Sequence, residues 1–244
     1  YPLPVLCPSN LTDCWDMAAA AVKTATNLRT PVILLTSKEM IMTNKNMDIS
    51  KLSEVPRAER SLYHGTDEYQ PYAVNGNMVP DFLPVGNGRH QVRSNASTHD
   101  TTGATQKNSP EALENTARLK DKIEQRLDEY TFYEHDEDKA ADTVILTYGI
   151  SAEAARDAVR GLRTQGEKIS LLVMKTMLPV PSEIFEILDR YPRILIVEEN
   201  LPGLLRELLF GQQKSERIQC INKIGNMITP LEIIEGVEAC KQPS

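Results

Sequence analysis

The chain has 244 residues, a net charge of −7, 41% hydrophobic and 25% charged residues. At about 150 residues per domain this allows one large domain or two small ones, and the balance is that of a folded chain rather than a disordered one. The acidic charge argues against nucleic acid or an anionic membrane surface as the main partner. No apolar run approaches the roughly 20 residues that span a bilayer, and no signal peptide opens the chain, so a cytoplasmic protein is expected.

Residues 1–48 read as strand, helix, strand. Val5-Leu6-Cys7 is a short apolar run, Asn10 is placed to cap a helix over residues 14–28, and Pro31 precedes the run Val32-Ile33-Leu34-Leu35. That run is apolar on both faces, as in the interior of a parallel sheet, and the three elements suggest one βαβ unit. Two strands and a helix cannot cover both faces of such a run. Its cover must come from an absent N-terminal segment, another chain or the later domain. The chain opens on Tyr1-Pro2-Leu3-Pro4 without Met and reads as starting inside a structural unit.

Residues 49–139 are read as an extended connector and a helix. The first part is rich in Pro and turn pairs such as Asn87-Gly88, and a structureless stretch of this length wraps a partner or feeds loops into a site. Ser109-Pro110-Glu111 starts a charged helix over residues 110–131, and the acidic residues 131–139 read as a linker. Residues 140–244 alternate: strands at 143–148, 169–175, 193–197 and 218–221, helices at 151–164, 182–190, 201–211 and after the capping box Thr229-Pro230-Leu231-Glu232. This predicts an α/β domain with a mostly parallel sheet.

Signals for chemistry are weak on residues alone. Cys7, Cys14, Cys220 and Cys240 form no C-x-x-C pair, so no metal site is expected and free thiols are the plain reading. Tyr148-Gly149-Ile150-Ser151 carries a single Gly and reads as a tight turn in preference to a phosphate site. Glu198 and Glu199 are adjacent on a strand, face opposite ways, and suit hydrogen bonds to a neighbouring loop or subunit better than a catalytic pair. The cluster Ser97 to Gly103 holds His99 and Asp100; on spacing it is either a binding or proton-shuttling site or a Ser/Thr- and Asx-stabilised turn with a surface His. No catalytic or cofactor-binding residue is assigned.

Taken in order, several segments resemble the C-terminal part of the alpha subunit of 2-oxoacid:ferredoxin (acceptor) oxidoreductases, acting on substrates such as pyruvate, 2-oxoglutarate or 2-oxoisovalerate. Pro8-Ser9-Asn10 and Arg29-Thr30-Pro31-Val32 resemble the end of the family's pyrimidine-binding domain. His99-Asp100 with Gly103 resembles its His-acid-x-x-Gly loop. Ala141 to Gly149, Leu178-Pro179-Val180-Pro181, Val197 to Asn200 and Ile228-Thr229-Pro230 resemble its transketolase C-terminal-like domain. The chain departs from the family's Glu-x-Asn-x-Gly-Gln at Glu198-Glu199-Asn200-Leu201-Pro202-Gly203.

The resemblance implies three regions: 1–48 as part of a pyrimidine-binding unit, 49–139 as connector and helix, and 140–244 as the transketolase-like domain. It implies a thiamine-diphosphate-dependent oxidative decarboxylation of a 2-oxoacid to acyl-CoA in a hetero-oligomer, with electrons leaving to ferredoxin or another acceptor. The partners implied are the N-terminal half of alpha and the beta and gamma/delta subunits. Thiamine diphosphate, magnesium and iron–sulfur clusters belong to the assembled enzyme, and this chain alone is expected to bind none of them and to be inactive. His99, Asp100 and Gly103 are placed at the active-site mouth or a subunit interface. Two other readings stay open: a non-catalytic α/β assembly module, and the C-terminal portion of a transketolase- or dehydrogenase-E1-type thiamine enzyme.

Overall fold

The computed structural model describes residues 2–55, 57–74, 76–212 and 215–241; Tyr1, Pro56 and Asn75 lie outside these. The N-terminal unit is strand β1 (Val5–Leu6), helix α1 (Leu11–Leu28) and strand β2 (Ile33–Leu34), with a short helix α2 (Lys38–Met42) that the sequence reading did not anticipate. Asn10 caps α1 as expected, its Oδ1 accepting from the Asp13 amide at 2.7 Å. α2 is a single turn held by the Ser37 hydroxyl, too short for its periodicity to register. Among the described residues the connector has no regular structure apart from a 3-10 turn at Ile49–Lys51 and isolated bridges, before helix α3 (Pro110–Gln125).

The remainder is strand β3 (Tyr133–Asp136), β4 (Thr143–Tyr148), helix α4 (Ser151–Thr164), β5 (Ser170–Met174), β6 (Thr176–Leu178), α5 (Ser182–Leu188), β7 (Arg193–Glu198), α6 (Leu204–Phe210), β8 (Ile218–Asn222) and α7 (Pro230–Lys241). Five strands form a sheet in the order β3-β5-β4-β7-β8, all parallel except β3. Two expectations are corrected here. The acidic stretch read as a linker contains β3, an edge strand whose Glu134, His135 and Asp136 disguise it; charged residues on an edge keep it from pairing with other chains. The expected strand 169–175 is β5, but a further strand, β6, follows it that was not expected. β5 stays in the large sheet, while β6 departs after Lys175 and pairs antiparallel with β1.

β6 thus stitches the halves of the chain together, giving a second sheet in the order β2-β1-β6. One apolar layer packs Val5 and Cys7 with Val144, Leu146, Leu172 and Met174 on one face of the large sheet. A second layer on the opposite face joins Ile145, Leu171, Val173 and Leu195 to α4 and α7. A third, smaller one gathers Leu6, Met17, Leu28, Ile123 and Tyr130 between β1, α1 and α3. β1 is therefore enclosed on both faces, with Val5 8% and Leu6 0% exposed. β2 is not: Ile33, Leu34 and Leu35 are 45%, 37% and 41% exposed. The described residues leave this apolar ribbon partly exposed.

Candidate functional site

Three places gather chemistry-bearing side chains. The first is the loop holding the residues singled out from sequence. The Asp100 carboxylate organises it: Oδ1 accepts from the Thr102 amide (2.9 Å), the Thr102 hydroxyl (2.7 Å) and the Ala104 amide (3.0 Å), and Oδ2 from Gln106 (2.8 Å). These bonds, led by that of the Thr102 hydroxyl, hold the carboxyl below its ordinary pKa. Gly103 has φ +83°, and a Cβ there would meet the Arg93 carbonyl oxygen at 2.8 Å, so glycine is required twice over.

His99 lies under this loop, 9% exposed and stacked on Tyr72 with ring centroids 3.5 Å apart. Arg118 donates to Asn115 Oδ1 from Nε (3.1 Å) and Nη2 (2.6 Å), which fixes the amide so that its Nδ2 donates to His99 Nδ1 at 2.9 Å. With Nδ1 accepting from Asn115, the ring proton is assigned to Nε2, and the Asp100 carbonyl, 3.2 Å from Nδ1, then has no ring proton to accept. The three sequence candidates are thus brought together, with Asp100 and Gly103 shaping the turn and His99 oriented beneath it.

The second place is the junction between the N-terminal unit and the large sheet, which the sequence reading missed entirely. Asp13, 6% exposed, accepts from Lys175 Nζ at 2.7 Å and from the Ser9 hydroxyl at 2.5 Å. Arg156 donates to Ser9 Oγ and to Glu134 Oε2, both at 2.6 Å. Burial raises the Asp13 carboxyl, but the bonds from Lys175 and Ser9 outweigh it and hold it below the ordinary value. No local signal reveals this network, because Asp13 and Lys175 are 162 residues apart in sequence.

The third is at the carboxyl ends of β4 and β7, where open α/β sheets place ligands. A cavity of about 190 Å³ is lined by Cys7, Leu35, Ser37, Tyr148, Ser151 and Glu199 among others. Gly149 turns there with φ +59°. Burial pushes the Cys7 thiol up to about 12, so it is a packing group rather than a nucleophile. Glu198 and Glu199 diverge as strand alternation requires. Glu198 is fully buried and accepts from the Leu205 amide at 3.0 Å, while Glu199 accepts from the Ile228 amide at 3.1 Å. Burial raises both carboxyls against the lowering effect of these bonds. His99, Asp100 and Gly103 do not line this cavity. Among the described residues no group of three or more His, Cys, Asp and Glu side chains converges as metal ligands, and no helix is long and apolar enough to cross a membrane.

Residues 1–118 match the family described as pyruvate flavodoxin/ferredoxin oxidoreductase, thiamine diphosphate-binding, and residues 141–233 match pyruvate:ferredoxin oxidoreductase core domain II. The chain is 27% identical over 244 residues to the 2-oxoglutarate synthase subunit KorA of Methanothermobacter marburgensis, covering 99% of this chain and 64% of that protein. It is also 27% identical to the ketoisovalerate oxidoreductase subunit VorB of Methanothermobacter thermautotrophicus, covering 97% and 60%. It therefore spans less than two thirds of these relatives. In structure it is similar to a 2-oxoglutarate:ferredoxin oxidoreductase from Magnetococcus marinus, with a TM-score of 0.86 at 21% identity, over 99% of this chain and 42% of that one. The fold is thus shared along almost the whole chain, and the two matched domains follow one another in order. The chain thus carries, in order, matches to two domains of pyruvate:ferredoxin oxidoreductases, and along nearly its whole length it is similar to subunits of 2-oxoacid oxidoreductases.

Proposed function

We propose that the chain is a C-terminal part of the alpha subunit of such an oxidoreductase and works within a thiamine-diphosphate-dependent enzyme that oxidatively decarboxylates a 2-oxoacid to its acyl-CoA. The observation that carries this reading is the uncovered ribbon Ile33-Leu34-Leu35 at the edge of the β2-β1-β6 sheet, in the segment matched to the thiamine-diphosphate-binding domain. An exposed apolar edge strand invites a further strand. We assign that strand and its covering helices to a part of the alpha subunit beyond the 244 residues described. Residues 1–48 then act as part of the pyrimidine-binding unit, 49–139 as connector and helix, and 140–244 as the brace that fixes it. The partners in this reading are the remaining alpha portion, the beta and gamma/delta subunits, and ferredoxin or another acceptor, in the cytoplasm.

Thiamine diphosphate supplies the carbanion chemistry when bound in such enzymes, with a metal at its diphosphate. Among the described residues no three or more His, Cys, Asp and Glu side chains converge as ligands for such a metal, and no step of the reaction is assigned to them. What this chain's residues do is positional. The Asp13–Lys175–Arg156–Glu134 network locks the N-terminal unit onto the large sheet, and the Arg118–Asn115–His99 relay holds the 95–106 loop in one arrangement. That loop is assigned to the active-site mouth or a subunit interface.

The test is reconstitution. The chain assembled with the remaining alpha portion and partner subunits should reduce a viologen dye in a 2-oxoacid- and CoA-dependent manner, and the chain alone should not. A correctly assembled complex holding its cofactors but inert toward every 2-oxoacid would establish the assembly-module reading instead. Calorimetric titration of the chain alone with thiamine diphosphate and magnesium should show no saturable binding, and micromolar binding would contradict the division of labour.

A further inference from the structure

Away from these three places, positive charge collects where the connector crosses the end of α1. Arg29, the residue that closes α1, holds φ 44°, a left-handed conformation that non-glycine residues rarely adopt. Its Nη1 donates to the carbonyls of Pro80 (2.9 Å) and Asp81 (3.0 Å). Arg60 stands over the Phe82 ring with its guanidinium carbon 4.4 Å from the centroid, and the Arg29 carbon is 5.6 Å from the same centroid. Neither guanidinium pairs with a carboxylate among the described residues, and Arg60 makes no hydrogen bond to them. Arg126 closes the third side, already engaged by Glu129.

Between these three cations lies a cavity of about 140 Å³ with Asn27, Glu59, Ser61 and Asn77 also on its walls; Glu59 pairs with Arg57 at 3.9 Å, and the Ser61 hydroxyl donates to the Asp81 carboxylate at 2.6 Å. Just behind it Lys122, 2% exposed, donates to the Leu28 carbonyl at 2.5 Å and meets no carboxylate. Its ammonium is pushed down to about 8, first by burial and then by Arg118, Arg29 and Arg126. Arg29, Arg57, Arg60, Arg126 and Lys122 together outnumber the carboxylates of Glu59, Asp81 and Glu129 here, a local positive field in a chain of net charge −7, with Arg60 as the cation not engaged by a hydrogen bond.

We infer that the Arg29–Arg60–Arg126 cavity is a binding site for a phosphate-bearing anion, with Arg60 as its free donor and Asn27, Ser61 and Asn77 as neutral partners. The planar guanidinium fork suits phosphate oxygens, and a phosphate fits a space of this size. An anion there ties residues 59–61 and 77–82 of the connector to the end of α1, so the site fixes the path of the connector. This goes beyond the proposed oxidoreductase function and stands whether or not that reading holds.

The experiment is calorimetric titration of the whole chain at low ionic strength with inorganic diphosphate and, separately, ADP, each against sodium chloride of equal ionic strength. Saturable 1:1 binding is expected, weakened about tenfold in Arg60→Gln and largely restored in Arg60→Lys, the scale of one charge-assisted contact. Equal affinity for the two probes makes the ligand a free anion, and tighter binding of ADP makes it a nucleotide. Bound ligand should also raise the titration midpoint of the Lys122 ammonium followed by NMR. No saturable binding, an effect matched by sodium chloride, or undiminished affinity in a folded Arg60→Gln protein would overturn the inference.

Discussion

Strands β1 and β2 are neighbours of similar composition with opposite fates. Val5 and Leu6 are buried between the large sheet and the α1–α3 layer, while Ile33, Leu34 and Leu35 one strand away stand between a third and a half exposed. The ladder between them is complete on one side only: the Ile33 amide donates to the Pro4 carbonyl (2.9 Å) and the Leu35 amide to the Leu6 carbonyl (2.8 Å). The alternating Leu34 amide therefore faces away from β1. Hydrophobicity alone does not say where a strand's cover comes from. β1 draws its cover from this chain because β6 crosses over to it, and β2 has nothing beyond it to pair with among the described residues.

The sharpest way to break this comparison is to perturb equivalent aliphatic residues in the two environments. Leu6→Ala, at a fully buried position of β1, should cost about 2–5 kcal/mol in urea denaturation. Leu34→Ala should change the stability of the chain alone by less than about 0.5 kcal/mol while weakening assembly with the missing partner. Equal losses in the isolated chain would show that β2 is internally packed. Removing the lock between the two halves comes next. Lys175→Met leaves the buried Asp13 carboxylate without its cation and should cost about 3 kcal/mol.

The pH dependence of the same lock has a definite sign. Asp13 titrates lower in the folded chain than its ordinary 3.8, so its contribution is present above that value and is lost as pH falls through the folded value. Asp13→Asn should flatten that acid limb of the urea midpoint profile. Lys122 gives the opposite limb: depressed to about 8 from 10.5, it binds its proton more weakly in the folded chain. Stability should rise as pH climbs through that window, and Lys122→Met should abolish the rise. Gly103→Ala is expected to be milder, about 1–2 kcal/mol, from its left-handed φ and the approach of the Arg93 carbonyl. A loss near zero would mean that the 95–106 loop relaxes freely.

What was legible in the sequence was what local chemistry encodes. The capping box is realised, with the Glu232 carboxylate accepting from the Thr229 amide at 2.8 Å and the Thr229 hydroxyl accepting from the Glu232 amide at 3.3 Å. The apolar runs at 143–148 and 193–197 became the central strands β4 and β7 because burial on both faces needs continuous hydrophobicity. β3 was hidden by the charges that protect an edge. β6 was hidden because Thr176-Met177-Leu178 is too short for its alternation to register and follows β5 after the single residue Lys175. The Asp13–Lys175 lock and the arginine cluster were invisible for a different reason: their members meet only after the chain has folded back on itself. Among the loop residues singled out, the Asx-type turn at Asp100 and the glycine at 103 could be read from spacing, whereas the His99 relay through Asn115 and Arg118 needed the docking of α3.

The most direct measurement is hydrogen exchange at the Leu34 amide. In the chain alone it should exchange at close to the free-peptide rate, while the Leu6 and Leu146 amides stay protected. In the complex with the remaining alpha portion and its partner subunits it should be protected by orders of magnitude. Slow exchange of Leu34 in the isolated monomeric chain, or no gain of protection on assembly, would contradict the claim that this edge is built to receive another strand.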